Sequence, residues 1–144
     1  MKIKLTFNEL LNLYASQLFK QLNFEKISNP YSAYKIQRIL KSIQNYGVDI
    51  AKQYNQLIKK YAKPFFDKDG KETEKIFVDP GDKEKFAQFT QEEKVYLEKR
   101  EEFNFEYILD LKDLDGIKIS AQDISILTPI LNKEKIDDDL KKQK

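Results

Sequence analysis

The chain has no histidine, no cysteine and no tryptophan, and its only arginines are Arg38 and Arg100. Without cysteine there is no disulfide framework, no thiolate zinc site and no thiol nucleophile, so nothing ties the chain to an oxidising compartment and an intracellular setting is expected. Without histidine the usual general base near neutral pH is missing, which leaves carboxylates, lysine, tyrosine and serine as the only candidates for catalysis. Glycine is scarce too: the four stand at 47, 70, 81 and 116, in no phosphate-cradling or dinucleotide pattern. Long apolar runs are absent, and Asn8, Glu9, Asn12 and Gln17 interrupt the stretch from Lys2 to Phe19, so neither a membrane span nor a signal peptide is expected.

What the chain does have is a heptad seam. Ile36, Leu40, Ile43, Gly47, Ile50, Tyr54, Leu57 and Tyr61 alternate in steps of four and three without a break. Asn29 is placed to cap the helix that carries them, with Pro30 at its first position, and Lys63-Pro64 closes it, because the residue before a proline is pushed out of the α conformation. The reading is a helix from about Pro30 to Ala62. An earlier helix is signalled by Thr6 with Glu9 three residues on, followed by Phe7, Leu10, Leu11, Tyr14, Leu18 and Leu22 on one face. The second helix would span roughly 50 Å at 1.5 Å per residue, and the first can cover only about half of it. The remainder of the seam needs a third helix or a second copy of the chain. Gly47, at the middle, is expected to allow close approach of a facing helix.

Past Pro64 the periodicity changes. Phe65, Phe66 and then Ile76, Phe77 and Val78 flank Asp69-Gly70, which reads as a hairpin turn, and Asp79-Pro80-Gly81-Asp82 is a second turn. A charged helix with Phe86 and Phe89 follows, and an internal capping pair, Thr90 and Glu93, predicts two short pieces. Phe103, Phe105, Tyr107, Leu109 and Leu111 alternate at the strand period. Asp115-Gly116 turns into a return strand at Ile117 and Ile119, and Ser120 with Asp123 caps a last helix. These elements predict an α+β fold, mainly α. Residues 1–131 form one domain, with a long N-terminal helical hairpin at 1–63 and a small antiparallel sheet with short helices at 64–131; residues 132–144 form a mobile charged tail.

The net charge of +2 conceals a division. Residues 1–63 carry eleven Lys/Arg against three acids, and residues 64–144 carry fifteen against twenty-one. Such asymmetry marks either a surface for a polyanion or complementarity within or between subunits. Lys35, Arg38, Lys41, Lys52, Lys59 and Lys60 form a possible basic binding face on the long helix, although they spread around it, and the scarcity of arginine argues against groove reading. Asp67-Lys68-Asp69-Gly70 fails as a calcium loop, since placing Gly70 at the sixth position puts Phe65 at the first. Asp137, Asp138 and Asp139 read as a solvated acidic run, and Glu92, Glu93, Glu98, Glu101 and Glu102 as a solvated helix face. No metal, cofactor or catalytic residue is expected.

The order Tyr31-Ser-Ala-Tyr34-Lys-Ile36-Gln-Arg38-Ile39-Leu40, Leu57-Ile-Lys-Lys60-Tyr61, Asp67-Lys-Asp69-Gly70-Lys, Phe86 with Phe89, the run into Leu111, and Ile119-Ser120-Ala-Gln-Asp123 leading to Leu127-Thr-Pro129-Ile covers nearly the whole chain. It resembles a group of small, uncharacterised proteins encoded by tailed bacteriophages. The resemblance implies a phage or prophage origin, and a location in the host cytoplasm or the virion, and no chemistry. The expectation is a non-enzymatic protein-binding or assembly protein that associates with copies of itself through the seam, as a virion component or assembly factor. The alternatives are an inhibitor of a host defence system acting by binding, and salt-sensitive nucleic-acid binding by the basic first half.

Overall fold

The computed structural model describes residues 1–20, 26–27 and 29–132. Its fold is α+β and mainly α, dominated by one long helix. The chain opens with strand β1 (Lys2–Thr6) and passes directly into helix α1 (Phe7–Tyr14). Thr6 serves both elements. It is the last residue of the strand, and its hydroxyl accepts from the Glu9 amide at 3.0 Å while the Glu9 carboxylate accepts from the Thr6 amide at 2.9 Å. The strand adds an element to the helices expected of this region, and Lys2-Ile3-Lys4-Leu5 alternates at the strand period.

The expected first helix is shorter than its apolar spacing predicts. It stops at Tyr14, the Ser16 amide bonds back to Leu13 at 3.2 Å, and a separate turn, α2 (Gln17–Lys20), brings Leu18 and Phe19 against the core from a new direction. Leu22 lies outside the described residues. Helix α3 (Pro30–Tyr61) matches its signals: the Asn29 side chain accepts from the Tyr31 amide at 2.9 Å, and Pro30 sits in the first turn, where its missing donor leaves nothing unsatisfied.

After α3 come strands β2 (Lys63–Phe66) and β3 (Glu72–Phe77), an antiparallel hairpin. Its turn is held by Asp67, whose carboxylate accepts from the amides of Asp69 and Lys71, both at 2.9 Å. Gly70 takes φ +77°, a conformation that costs a residue with a Cβ about 1 kcal/mol. Helix α4 (Lys83–Leu97) is capped by Asp82 and runs unbroken. The expected division at Thr90 does not occur, because the Thr90 hydroxyl turns back to the Phe86 carbonyl at 2.8 Å instead of capping a new start.

Strand β4 (Arg100–Asn104) pairs with β1, from Lys2 opposite Asn104 to Thr6 opposite Arg100. The small sheet expected in the second half is therefore two separate two-stranded sheets, and one of them borrows its first strand from the other end of the chain. The strand read from Phe103 to Leu111 ends early: the Phe105 amide bonds Met1 at 2.8 Å, and farther along the Leu109 amide turns to the Ile130 carbonyl at 3.0 Å instead of continuing this sheet. The alternation survives as burial. Phe103, Phe105 and Leu109 are buried, and Leu109 makes a lone parallel bridge to Leu131. Residues Leu111–Leu114 form a 3₁₀ turn, and Ile117 and Ile119 form no strand, the Ile117 amide bonding Leu114 instead. Helix α5 (Ala121–Leu127) has the expected Ser120–Asp123 capping box and runs on into a 3₁₀ turn, Thr128–Ile130.

One core joins these pieces. Leu5, Phe7, Leu10 and Leu13 meet Ile36, Ile39, Ile43 and Ile50 of α3, and Phe105, Leu109, Leu127 and Ile130 close the other side. Each such side chain contributes about 1.5–3 kcal/mol by leaving water. The tail expected at residues 132–144 lies, beyond Asn132, outside the described residues.

Candidate functional site

The seam of α3 is occupied within the chain. Ile36, Ile43 and Ile50 are core residues, and Gly47 lies under the Tyr14 side chain of α1, where a Cβ would stand 2.6 Å from the ring. Close approach of a facing helix at Gly47 is what the structure shows. Leu40 is half-buried and lines a cleft of about 570 Å³ with Leu13, Phe19, Ile43 and Val48. Toward the C-terminal end, α4 supplies the cover that α1 cannot reach. Tyr54 stacks on Tyr96 at 6.3 Å, and Tyr61 meets Phe89 edge-on at 6.0 Å. Hydroxyls complete the joint: Tyr54 donates to Glu93 at 2.6 Å, Tyr61 to Glu92 at 2.7 Å, and Tyr96 to the Ile50 carbonyl at 2.8 Å. Leu57 is half-buried in the same joint, beside Tyr96. Burial, and then the Glu93 carboxylate, push the Tyr54 phenol up to about 12. A third helix from the second half thus covers this part of the seam.

The basic face divides in two. Lys35 is buried between Asp113 at 2.7 Å and Asp110 at 3.1 Å, and Ser32 donates to the other oxygen of Asp113 at 2.8 Å. Burial opposes the Lys35 charge, but hydrogen bonds and attraction from the two aspartates outweigh it and hold its pKa above the usual lysine value. Arg38 forks onto Glu106, and Lys60 reaches Glu92 at 3.2 Å. The Tyr61 hydroxyl first and Lys60 second draw the Glu92 carboxyl below its ordinary range, and Arg38 does the same to Glu106. Lys63 bonds Asp79 at 3.5 Å. All five ion pairs among the described residues therefore join a base of residues 1–63 to an acid of residues 64–144. The charge division docks the two halves of one chain. Lys41, Lys52 and Lys59 are left exposed on α3.

No group of three or more His, Cys, Asp or Glu side chains capable of holding a metal occurs among the described residues. No helix there is long and apolar enough to cross a membrane. Comparison with protein families, curated proteins and solved structures finds no match.

Outside the seam, the β2–β3 arm carries a second apolar surface. Phe65, Phe66, Ile76 and Phe77 are between 39% and 56% exposed. Phe65 and Phe77 meet edge-on at 6.0 Å, and the Pro64–Ile76 pair directs its side chains to the opposite face, so both faces of the hairpin are apolar. The signal was in the sequence, as two aromatics beside a turn; among the described residues no third strand pairs with this hairpin.

Proposed function

We propose that this chain is a non-enzymatic protein-binding protein that associates with a second copy of itself through the β2–β3 arm. The observation that carries this reading is the concentration of four large apolar side chains on an arm that stays 39% to 56% exposed at those residues among the described residues. A two-stranded hairpin is marginal in water by itself, and exposed apolar patches on soluble proteins mark contact surfaces. The occupant is argued from charge. Between residues 63 and 77 the arm carries Lys63, Lys68, Lys71 and Lys75 against Asp67, Asp69, Glu72 and Glu74, so it is neutral and of mixed sign. A neutral, mixed patch meets its own copy across a two-fold axis without net repulsion.

With each aromatic or isoleucine offering on the order of 100 Å² of exposed area, a contact through the Phe65–Phe77 face of two arms buries roughly 400 Å² of apolar surface together, below the ~1,200 Å² of stable interfaces, which makes the association a weak and reversible one. A dimer with a dissociation constant on the order of 100 μM is the expectation. Resemblance to phage-encoded proteins supports an assembly factor or virion component as its setting. Sedimentation equilibrium between about 5 and 500 μM tests the proposal. It predicts a monomer–dimer equilibrium that Phe65→Ser/Phe77→Ser abolishes while the melting curve of the monomer is kept. A parent chain that stays monomeric throughout, or a variant that dimerises as the parent does, refutes it.

A further inference from the structure

Once the internal ion pairs are set aside, the bases that spread around α3 in the sequence reduce to a line. Lys41, Lys52 and Lys59 lie eleven and then seven residues apart, about three and two turns, so all three point the same way, about 16 and 10 Å apart along the axis. Tyr34 stands two turns before Lys41 on the same line. Gln37, Gln44, Asn45, Asn55 and Gln56 flank it, and every one of these residues is exposed. The only acid of the helix, Asp49, sits about 80° around from the line. Among the described residues, Glu106 feels Lys41 as the least of its influences, after committing its oxygens to Arg38.

We propose that this face of α3 binds single-stranded nucleic acid, with the lysines on phosphates and Tyr34 under a base. Three cations without acids between them, on a helix of 32 residues, track a polyanion longer than any small molecule. The aromatic end selects the single strand. Tyr31 and Tyr34 are 61% and 50% exposed, and both rings are braced by Tyr107 at 6.5 and 6.3 Å, edge-on, which fixes them while leaving much of each ring open to a base. In a duplex the bases are already stacked, and the one arginine of α3 that could read a groove, Arg38, is held by Glu106. The flanking amides offer neutral donors and acceptors without sequence preference. This face is separate from the β2–β3 arm and stands whether or not the arm dimerises.

Fluorescence anisotropy with a labelled 20-nucleotide oligo-dT and the full chain tests the assignment. Binding is expected in 20 mM salt, weakening as salt rises with a log–log slope of about −2 for three phosphates on a single strand. Lys52→Glu/Lys59→Glu, both fully solvated changes, should lower affinity at least tenfold and flatten the slope. Tyr34→Ala should lower affinity about fivefold or more and leave the slope alone. Overturning results are no binding in 20 mM salt, either variant binding as the parent does, an equal loss from Lys2→Glu/Lys4→Glu on β1, or a 20-base-pair duplex held as tightly as the strand.

Discussion

Replacing Gly47 with alanine sets two effects of opposite sign against each other. In the middle of a helix, alanine in place of glycine is worth about 1 kcal/mol of added stability. At this position the added methyl would stand 2.6, 2.7 and 2.9 Å from Cδ2, Cγ and Cβ of Tyr14. Those atoms are the root of the side chain, not its mobile end, so relief requires α1 to move, and α1 is held by Leu10 and Leu13 in the core and by its capping box. Forcing a methyl into a packed contact costs typically about 1–3 kcal/mol, and the rigidity of α1 places this case at the upper end. The net expectation is a loss of about 1–2 kcal/mol, read as a fall in Tm of about 3–7 °C by circular dichroism. Tyr14→Ala removes the two ring contacts and leaves only the one at Cβ. In that background Gly47→Ala should cost much less, and a double-mutant cycle separates the clash from the propensity gain. A Gly47→Ala protein that melts at or above the parent temperature would show that α1 yields freely and that the close approach at Gly47 carries no energy.

Two further outcomes follow from charge. Lys35→Met leaves Asp110 and Asp113 facing each other without their cation in a buried site, with an expected loss of about 3–5 kcal/mol in urea denaturation, whereas Lys41→Met on the exposed line should change stability by less than about 0.5 kcal/mol; equal effects would refute the placement of Lys35. For alkaline pH the sign is set by Tyr54, whose folded pKa of about 12 exceeds its ordinary 10, so its contribution is complete below pH 10 and is lost as pH rises through 12. The raised pKa values of Tyr61, Tyr96 and Lys35 act in the same direction. Urea midpoints should fall between pH 10 and 12, and less steeply in Tyr54→Phe; a flat profile would count against the tyrosine joint between α3 and α4.

Local signals in the sequence carried through to the structure. Asn29-Pro30, Thr6 with Glu9, Ser120 with Asp123 and Asp69-Gly70 each act through bonds within a few residues, and each marks the element boundary or turn its spacing predicts. Non-local pairing was not legible. Nothing near Lys2–Thr6 points to a partner a hundred residues away, and the alternation from Phe103 to Leu111 records burial without recording where the pairing with β1 stops. The charge division was visible as a sum, but which bases would be matched depended on contacts such as Lys35 with Asp113, more than seventy residues apart. That matching separates the six bases of α3 into three that hold the fold and three that line its outer face. The exposed arm was hidden by its own regularity, because two strands and a good turn look like the beginning of a sheet.

The pairing of β1 with β4 also sets a schedule for synthesis. The first five residues of regular structure find their partner only after residue 104 has emerged, and the Phe7 amide waits for the Lys99 carbonyl. At ribosomal rates of about 5–20 residues per second, that leaves on the order of 5–20 s in which Leu5, Phe7 and Leu10 have no strand to lie beneath. During that interval three side chains that end in the core stay open to water, so the order in which the segments emerge bears on how the fold is reached.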